Sequence, residues 1–289
     1  MKTEMVRFKD SGYPELLKEI QDPPKTLYYR GNLLVLQGHT LAVVGSRKCT
    51  PYGLRIARAI GKRAALNHTV LVSGLARGID SCAQKACLDA GGTVISVMGN
   101  GLDCCYPKEH SSLMAEIART GLLLSEYPDG TEPRRYMFPR RNRIISGISK
   151  GVVVVEAGFH SGALKTAEFA AEQGRSVFAV PGNIGSEQSL GTNKLIQDGA
   201  EIVTVIGDPF SALGITSFDD RNSASEQTFS AMERKILFLL RDRGEMLPED
   251  IVESTNISPE TILQTITILE LKGAVYTSSG RVFLNLMQG

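Results

Sequence analysis

GVVVVEAGFHSGALKTAEFAAEQG, residues 151–174, carries the pattern that decides the fold. A continuous apolar run, typical of a strand buried on both faces, is followed by a glycine-containing turn and then by a helical stretch. The same order repeats towards both ends of the chain. Strand candidates lie at residues 41–45, 70–74, 93–99, 121–127, 151–158, 176–182 and 201–206, with helical stretches at 52–66, 81–90, 108–119, 143–149, 163–172 and 192–197. This alternation predicts an α/β fold with a doubly wound parallel sheet and right-handed crossovers.

The segments outside this sheet differ in character. Residues 1–39 read as a lead-in without the pattern of a separate domain, and the polar stretch SFDDRNSASEQ has a linker's composition. The last sixty residues predict three helices and a hairpin around Ser279, the order of a winged helix-turn-helix, with Ser258 as N-cap of the third helix. The predicted organisation is a lead-in (1–39), a sheet domain (40–216), a linker (217–227) and a small C-terminal winged-helix domain (228–289), whose helices span 228–241, 247–254 and 259–271.

The composition excludes several classes of protein. A chain of 289 residues that is 42% hydrophobic and 22% charged is globular rather than disordered. No apolar run approaches the roughly 20 residues of a membrane helix, and the N-terminus lacks a signal peptide's apolar segment, so we expect a cytoplasmic protein without membrane contact. The cysteines are odd in number and none has C-x-x-C spacing, so free thiols are expected at Cys49, Cys82, Cys87, Cys104 and Cys105. We expect no metal ion, cofactor or catalytic residue, because metal-ligand spacings and a G-x-S-x-G nucleophile motif are missing from the sequence.

Charge is distributed unevenly along the chain. The formal net charge is +1, but the part from Glu226 onwards carries nine acidic and six basic residues, which leaves +4 for the preceding part. The segment RRYMFPRRNR, residues 134–143, holds five arginines interleaved with aromatic residues. Single-stranded nucleic acid needs this combination, since cations follow the phosphates and an aromatic face stacks on a base. The candidate binding residues in this segment are Arg135, Phe138, Arg140, Arg141 and Asn142.

A structural role for these arginines is the alternative. They could form a solvated basic face, or Arg141 and Arg143 could pair with a buried acid such as Glu156. For Arg143, which precedes the apolar stretch IISG, a structural role is at least as well supported as a binding role.

Glycine-containing turns follow several predicted strands and supply further candidates. The turn VGSRKCTPYG does not match the dinucleotide fingerprint, because Arg47 occupies the place of its second glycine. Helix starts with free amides and nearby arginines favour phosphate, although a tight turn with a capping hydroxyl is the alternative. The predicted anion-binding residues in these turns are Ser46, Arg47, Arg77, Gly78, Lys108, Ser161, Gly162, Lys165 and Thr166.

The winged helix is not expected to read duplex DNA. Its third predicted helix offers Glu260, Gln264 and Glu270 and carries no positive charge before Lys272, whereas a helix that reads the major groove presents basic and amide side chains. A protein contact or auxiliary role is favoured, and a purely structural appendage stays open.

The motifs VGSR, SGLARGID, GNGLDCCYP, FPRRNRIISG, VVVVEAGFHSGALKTA and FAVPGNIGS follow one another over roughly residues 13–200. In order and spacing they resemble the DprA/Smf family of bacterial DNA-processing proteins. The resemblance implies an extended Rossmann-like domain that binds single-stranded DNA during natural transformation and recombination. It also implies protection of incoming DNA, help in loading the RecA recombinase, and a homodimer formed through this domain.

Specific site residues follow from the same resemblance. The family's phosphate-binding serine and arginine fall on Ser46 and Arg47, its basic residue after the YP pair on Lys108, and its basic and aromatic pair on Arg135 and Phe138. An N-terminal helical module of the SAM or helix-hairpin-helix type is not expected, because too few residues precede the sheet. The C-terminal winged helix matches an optional domain of the family.

Two competing functions remain. The turn SGALKTAE faintly resembles the G-G-x-G-T-x-x-E motif of nucleoside-monophosphate phosphoribohydrolases, so the chain could be a nucleotide-binding protein or such an enzyme. The double glycine is missing and Glu168 is poorly registered, which disfavours that enzyme. A winged-helix transcription regulator with a ligand-sensing core would require tight, sequence-specific binding of duplex DNA. We favour a non-enzymatic single-strand binder.

Overall fold

Seven segments that the sequence predicts as strands lie side by side in one sheet of nine strands. The computed structural model describes residues 2–215 and 229–284, apart from the side chain of Arg241, and these residues form two units. The sheet of the first unit consists of β1 (Glu4–Arg7), β2 (Thr26–Gly31), β3 (Thr40–Val44), β4 (Val70–Ser73), β5 (Val94–Met98), β6 (Leu122–Ser125), β7 (Gly151–Val154), β8 (Ser176–Ala179) and β9 (Glu201–Ile202). The predicted α/β class and parallel sheet are confirmed.

The strand order fixes where a ligand site can form. Across the sheet the order is β1-β2-β6-β5-β4-β3-β7-β8-β9. Strands β3 to β9 run parallel, and β2 pairs antiparallel with both β1 and β6. The direction in which strands are added reverses between β3 and β7. The carboxyl ends of these two strands therefore form the topological switch point at which open α/β sheets bind ligands.

Helices cover both faces of the sheet. They are α1 (Glu15–Lys18), α2 (Pro51–Leu66), α3 (Ile79–Asp89), α4 (Ser111–Thr120), α5 (Met137–Gly147), α6 (Gly162–Glu172), α7 (Leu190–Gln197) and α8 (Asp208–Ala212). The core of one face includes residues of α2, α3 and α4, and that of the other includes residues of α1, α5 and α6. Strand β3 shows the alternation that this requires, since Leu41 and Val43 enter the first core while Ala42 and Val44 enter the second.

Residues 1–39, predicted as a lead-in, extend the sheet. They supply β1 and β2 at the edge beyond β6, and Leu17 and Leu27 are completely buried in the core on the α5 side. The Tyr13 hydroxyl donates to the Pro24 carbonyl oxygen at 2.7 Å, which fixes the chain between α1 and β2. The predicted linker at 217–227 lies outside the described residues.

The second unit has the order of elements predicted for a winged helix. It consists of α9 (Ala231–Arg243), α10 (Pro248–Thr255), α11 (Pro259–Leu271) and the antiparallel strands β10 (Val275–Ser278) and β11 (Arg281–Leu284). Ser258 caps α11 by accepting a hydrogen bond from the Thr261 amide. Ser279 and Gly280 have positive φ angles of 51° and 76°, the conformation of a two-residue turn that matches the twist of a hairpin. The unit has its own apolar core, built around Ile236, Ile262 and Val282.

Within residues 2–215 and 229–284, no helix has the length and apolarity needed to cross a membrane.

Candidate nucleic-acid interface

The turn after β3 is held rigidly against the start of the segment that follows β7. The Ser46 amide donates to the Glu156 carbonyl oxygen at 2.7 Å. The Ser46 hydroxyl donates to Gln188 Oε1 at 2.9 Å and accepts from the Lys48 amide at 3.1 Å. Ser46 is buried, whereas the Arg47 side chain is exposed. Ser46 therefore shapes the turn, and Arg47 and Lys48 are exposed to solvent.

Glu156 supports the start of α2. Its buried carboxylate accepts hydrogen bonds from the Thr50 amide at 2.8 Å and from the Thr50 hydroxyl, and Thr50 in turn caps α2 by accepting from the Gly53 amide. A side chain at Gly53 would place its Cβ 2.3 Å from Glu156 Oε2, so it would displace the Glu156 carboxylate from this position. Glu156 is not the acid that pairs with Arg141 or Arg143, since the partner of Arg143 is Glu126 and the acid whose charge acts on Arg141 is Asp80.

Two arginines of residues 134–143 are buried and make hydrogen bonds inside the protein. Arg143 is 5% exposed and donates to the two carboxylate oxygens of Glu126 at 2.7 and 3.1 Å, with Asp22 as a further partner. Arg141 is 4% exposed and donates to the Gly74 carbonyl oxygen at 2.9 Å and to the Val97 carbonyl oxygen. Arg141 ties the ends of β4 and β5 to α5, so its guanidinium has a structural role, and its predicted contact with DNA stays a prediction.

The charge of Arg141 is compensated inside the protein by Asp80. Burial lowers the pKa of Arg141 to about 10, and the nearby Asp80 carboxylate opposes that shift. Burial likewise raises the pKa of Asp80, against the opposing charge of Arg141. Asp80 also accepts a hydrogen bond from the Gly74 amide at 3.1 Å. A Cβ atom at Gly74 would lie 2.5 Å from an Arg141 nitrogen, so this packing requires glycine.

A cleft of about 900 Å³ opens at the carboxyl ends of β3 and β7. Nine of the predicted binding residues line it: Ser46, Arg47, Arg135, Phe138, Arg141, Asn142, Ser161, Gly162 and Thr166. The other five, Arg77, Gly78, Lys108, Arg140 and Lys165, are not among its lining residues. The structure thus brings together turns and segments that are far apart in the sequence.

The residues outside the cleft lining have identifiable surroundings. Arg77 pairs with Glu109 and lines a small adjacent crevice, and Arg140 lies 3.5 Å from a Glu126 oxygen. Lys165 pairs with Glu168 at 2.7 Å along α6. Gly78 has a φ of 81°, and a Cβ there would lie 2.4 Å from the Ser46 carbonyl oxygen. Lys108 is exposed at the start of a short 3-10 turn, Lys108–His110.

A cation and two aromatic rings form one wall of the cleft. The Arg47 guanidinium carbon lies 5.7 Å from the centroid of the Phe138 ring. The centroids of the Tyr106 and Phe138 rings are 5.3 Å apart, and the two ring planes are tilted relative to each other. Tyr106 is 40% exposed, so this arrangement presents aromatic surface beside a positive charge. Sequence reasoning missed Tyr106, although the YP pair before Lys108 contains it.

The start of α6 adds an anion-compatible surface. Ser161 caps the helix by accepting from the Ala163 amide at 3.3 Å, and Asn142 donates to the Gly162 carbonyl oxygen at 3.1 Å, which joins α5 to α6. Unpaired backbone amides at the start of a helix favour a negative charge. Thr166, one turn further, is buried.

The balance of charge in the cleft is positive. Arg47, Lys48 and Arg135 line the cleft and are exposed, and in the described part of the chain none of them has a carboxylate within ion-pair distance. The acids of the lining are Asp80, which is buried beside Arg141, and the exposed Glu187. Lys48, Phe159 and His160 also line the cleft and are not among the predicted binding residues.

Comparison with known proteins identifies the family. The model of the DNA recombination-mediator protein A family matches residues 4–214.

The chain belongs to the DNA recombination-mediator protein A family. It is 48% identical over 197 residues to the DNA processing protein DprA of Streptococcus pneumoniae, which covers 68% of this chain and 69% of that protein. It is 49% identical over 193 residues to the protein Smf of Escherichia coli, covering 66% of this chain but only 52% of that protein. The predicted DprA/Smf resemblance is thereby confirmed.

Two solved structures of family members share the fold. The crystal structure of DprA from S. pneumoniae matches with a TM-score of 0.70 and 44% identity, over 73% of this chain and 74% of that one. A Helicobacter pylori DprA structure, described as showing a single-stranded DNA binding mode, matches with a TM-score of 0.67 and 30% identity, over 74% and 96% of the two chains. The family match ends at residue 214, so the second unit lies outside it.

The surface of α11 in the second unit is acidic and apolar. Leu263, Ile268 and Leu271 are 53%, 45% and 84% exposed, and Glu260 and Glu270 are also exposed. The first cation after the helix, Lys272, donates to Glu233 at 2.7 Å. This helix therefore presents no cation to a phosphate backbone.

Proposed function

We propose that the chain is a single-stranded DNA-binding protein that holds the strand in the cleft at the carboxyl ends of β3 and β7. In this proposal it protects incoming DNA and helps to load the RecA recombinase during natural transformation and recombination. The observation that carries the proposal is the Arg47 guanidinium carbon 5.7 Å from the Phe138 ring centroid, in the lining of a cleft whose charge is positive.

The chemistry of this wall suits a single strand. Arg47, Lys48 and Arg135 can follow phosphates, while Phe138 and Tyr106 offer ring faces to an unpaired base. A duplex keeps its bases stacked on one another, so the rings gain nothing from it. The description of the H. pylori relative as binding single-stranded DNA supports the same choice.

The proposal assigns no chemical step to the cleft. The enzymatic alternative needs the glutamate of its motif near the bound nucleotide, but Glu168 pairs with Lys165 and does not line the cleft. Incubation with the common nucleoside monophosphates, followed by chromatography for released base, tests that alternative directly.

Delivery to RecA and dimer formation through the first unit are further parts of the proposal, supported by membership of the family. Filament formation by RecA on a coated single strand, with and without the chain, tests the first. Light scattering of the purified chain tests the second.

The central experiment measures affinity for a fluorescent oligothymidylate and for a duplex of the same length. We expect tighter binding of the single strand. Phe138→Ala should weaken it by roughly 5- to 100-fold, since base stacking contributes about 1–3 kcal/mol. Arg47→Ala should also weaken it, because it removes a cation that contacts a phosphate.

The matched control is Arg119→Ala, which removes one exposed arginine on α4 that does not line the cleft. It should leave affinity unchanged. Wild-type affinity in both cleft variants, with intact far-ultraviolet circular dichroism, would remove this cleft from the proposal.

A further inference from the structure

An exposed aromatic ring borders the cleft in addition to Phe138 and Tyr106. Phe159 is 62% exposed and lies among the lining residues. Its described ring contact is with His160, with ring centroids 6.2 Å apart in an edge-on arrangement. A phenylalanine that keeps most of its surface in water beside a polar cleft contributes little to the core. Its exposure suits a ligand with a flat apolar face.

The backbone holds this ring in a defined place. Phe159 lies in a tight turn in which the Ser161 amide donates to the Gly158 carbonyl oxygen at 3.0 Å. Just before the turn, the Ala157 amide donates to the Gln188 carbonyl oxygen at 2.8 Å, and the Ala157 carbonyl oxygen accepts from the Gly191 amide at 2.8 Å. Just after it, Ser161 caps α6. The turn is therefore anchored on both sides.

Phe159 belongs to a different part of the lining from the first aromatic pair. The small crevice next to the cleft is bordered by Arg47, Tyr106 and Phe138 but not by Phe159. Phe138 comes from the start of α5, whereas Phe159 comes from the turn between β7 and α6. The anion-compatible start of α6 follows Phe159 directly, with Gly162 exposed.

We propose that Phe159 is a second base-stacking residue, which holds a base other than the one stacked on Phe138. The phosphates between the two bases would contact Arg47 and the start of α6. This inference rests on the proposed function of the cleft. It adds a second contact that depends on the presence of a base rather than on charge.

The experiment compares affinities of full-length variants for a fluorescent oligothymidylate. Phe159→Ala should weaken binding by roughly 5- to 100-fold, whereas Phe159→Tyr should retain affinity because the ring face is kept. Phe238→Ala is the matched control, because Phe238 is 68% exposed in the second unit. It should bind like the wild type.

Two further measurements separate stacking from a structural effect. On a strand of the same length whose bases are replaced by abasic sugars, Phe159→Ala and the wild type should bind equally, since no base is present to stack. On oligothymidylate, the losses in Phe159→Ala and Phe138→Ala should add in the double variant, as expected for independent contacts.

The outcomes are distinguishable from those for the proposed function. If Phe159→Ala binds oligothymidylate like the wild type while Arg47→Ala does not, the second stacking residue is refuted and the cleft stands. An equal loss on the abasic strand would also refute stacking. If Arg47→Ala and Phe138→Ala bind like the wild type as well, the cleft itself is not the binding site.

Discussion

At the scale of single residues, burial decides which arginine can meet DNA. Arg47 and Arg141 both border the cleft, but Arg47 is exposed whereas Arg141 is 4% exposed and bonded to backbone carbonyl oxygens. The Arg141 guanidinium links α5 to the ends of β4 and β5 through these hydrogen bonds. We therefore expect substitution of Arg141 to affect stability first, and binding only through the position of α5.

The sequence could have separated these roles if the start of α5 had been predicted correctly. The prediction begins the helix at residue 143, whereas the helix begins at Met137. From that start, Met137, Arg141, Ile144, Ile145 and Ile148 recur at helical spacing, and all are buried. The proline at position 139 obscures the start, although a proline is tolerated in the first turn of a helix.

Replacing Arg141 with methionine should make stability depend on pH. The substitution removes the stronger of the two positive charges, Arg141 and Arg47, that oppose the burial of Asp80, and burial already raises the pKa of that carboxyl. A carboxyl whose pKa is higher in the folded state destabilises the fold as the pH rises through that pKa. We expect a loss of about 3–5 kcal/mol at pH 8 and a smaller loss at pH 5.

Urea unfolding of wild type and Arg141→Met at both pH values measures this effect. The double variant with Asp80→Asn should show no such difference between the two pH values, because the titrating group is gone. A loss in Arg141→Met that is equal at pH 5 and pH 8 would contradict the charge argument.

At the scale of elements, the buried parallel strands carry the clearest signal in the sequence. Strand β3 is an uninterrupted apolar run because both of its faces lie in a core, and such runs are visible in a sequence. Strand β1 has one buried residue, Val6, so its sequence carries little signal. The position of such an edge strand is determined by its pairing with β2 and not by an apolar pattern of its own.

The first forty residues should therefore contribute to the stability of the sheet domain. Leu17 is completely buried, and a Cβ at Gly147 of α5 would lie 2.6 Å from its Cδ1 atom. Leu17→Ala should lower the free energy of unfolding by about 2–5 kcal/mol. Met5→Ala, at a residue 52% exposed on β1, should change it by less than about 0.5 kcal/mol.

Denaturant unfolding followed by circular dichroism provides the measurement. If Leu17→Ala and Met5→Ala unfold at the same denaturant concentration as the wild type, the lead-in is not part of the cooperative core.

At the scale of the whole molecule, the two units carry different surfaces. The cleft of the first unit exposes cations, whereas α11 of the second unit exposes Glu260, Glu270 and three apolar residues. The sequence predicted this contrast, because acidic and basic residues are counted without knowing the fold. It could not predict that Tyr106 and Phe159 line the same cleft as Phe138, since these residues come from separate segments that are brought together only once the strands have been ordered.

The net charge of +1 would suggest that DNA binding depends little on salt, but the local charge predicts otherwise. Three exposed cations, Arg47, Lys48 and Arg135, line the cleft. If each neutralises one phosphate, the logarithm of the association constant should fall against the logarithm of salt concentration with a slope of about −2 for a single strand.

Arg47→Ala should make that slope less steep by about 0.7, while Phe138→Ala should weaken binding and keep the slope, because it removes stacking without removing charge. Titrations of oligothymidylate at several salt concentrations measure both quantities, and equal slopes for wild type and Arg47→Ala would show that Arg47 contacts no phosphate.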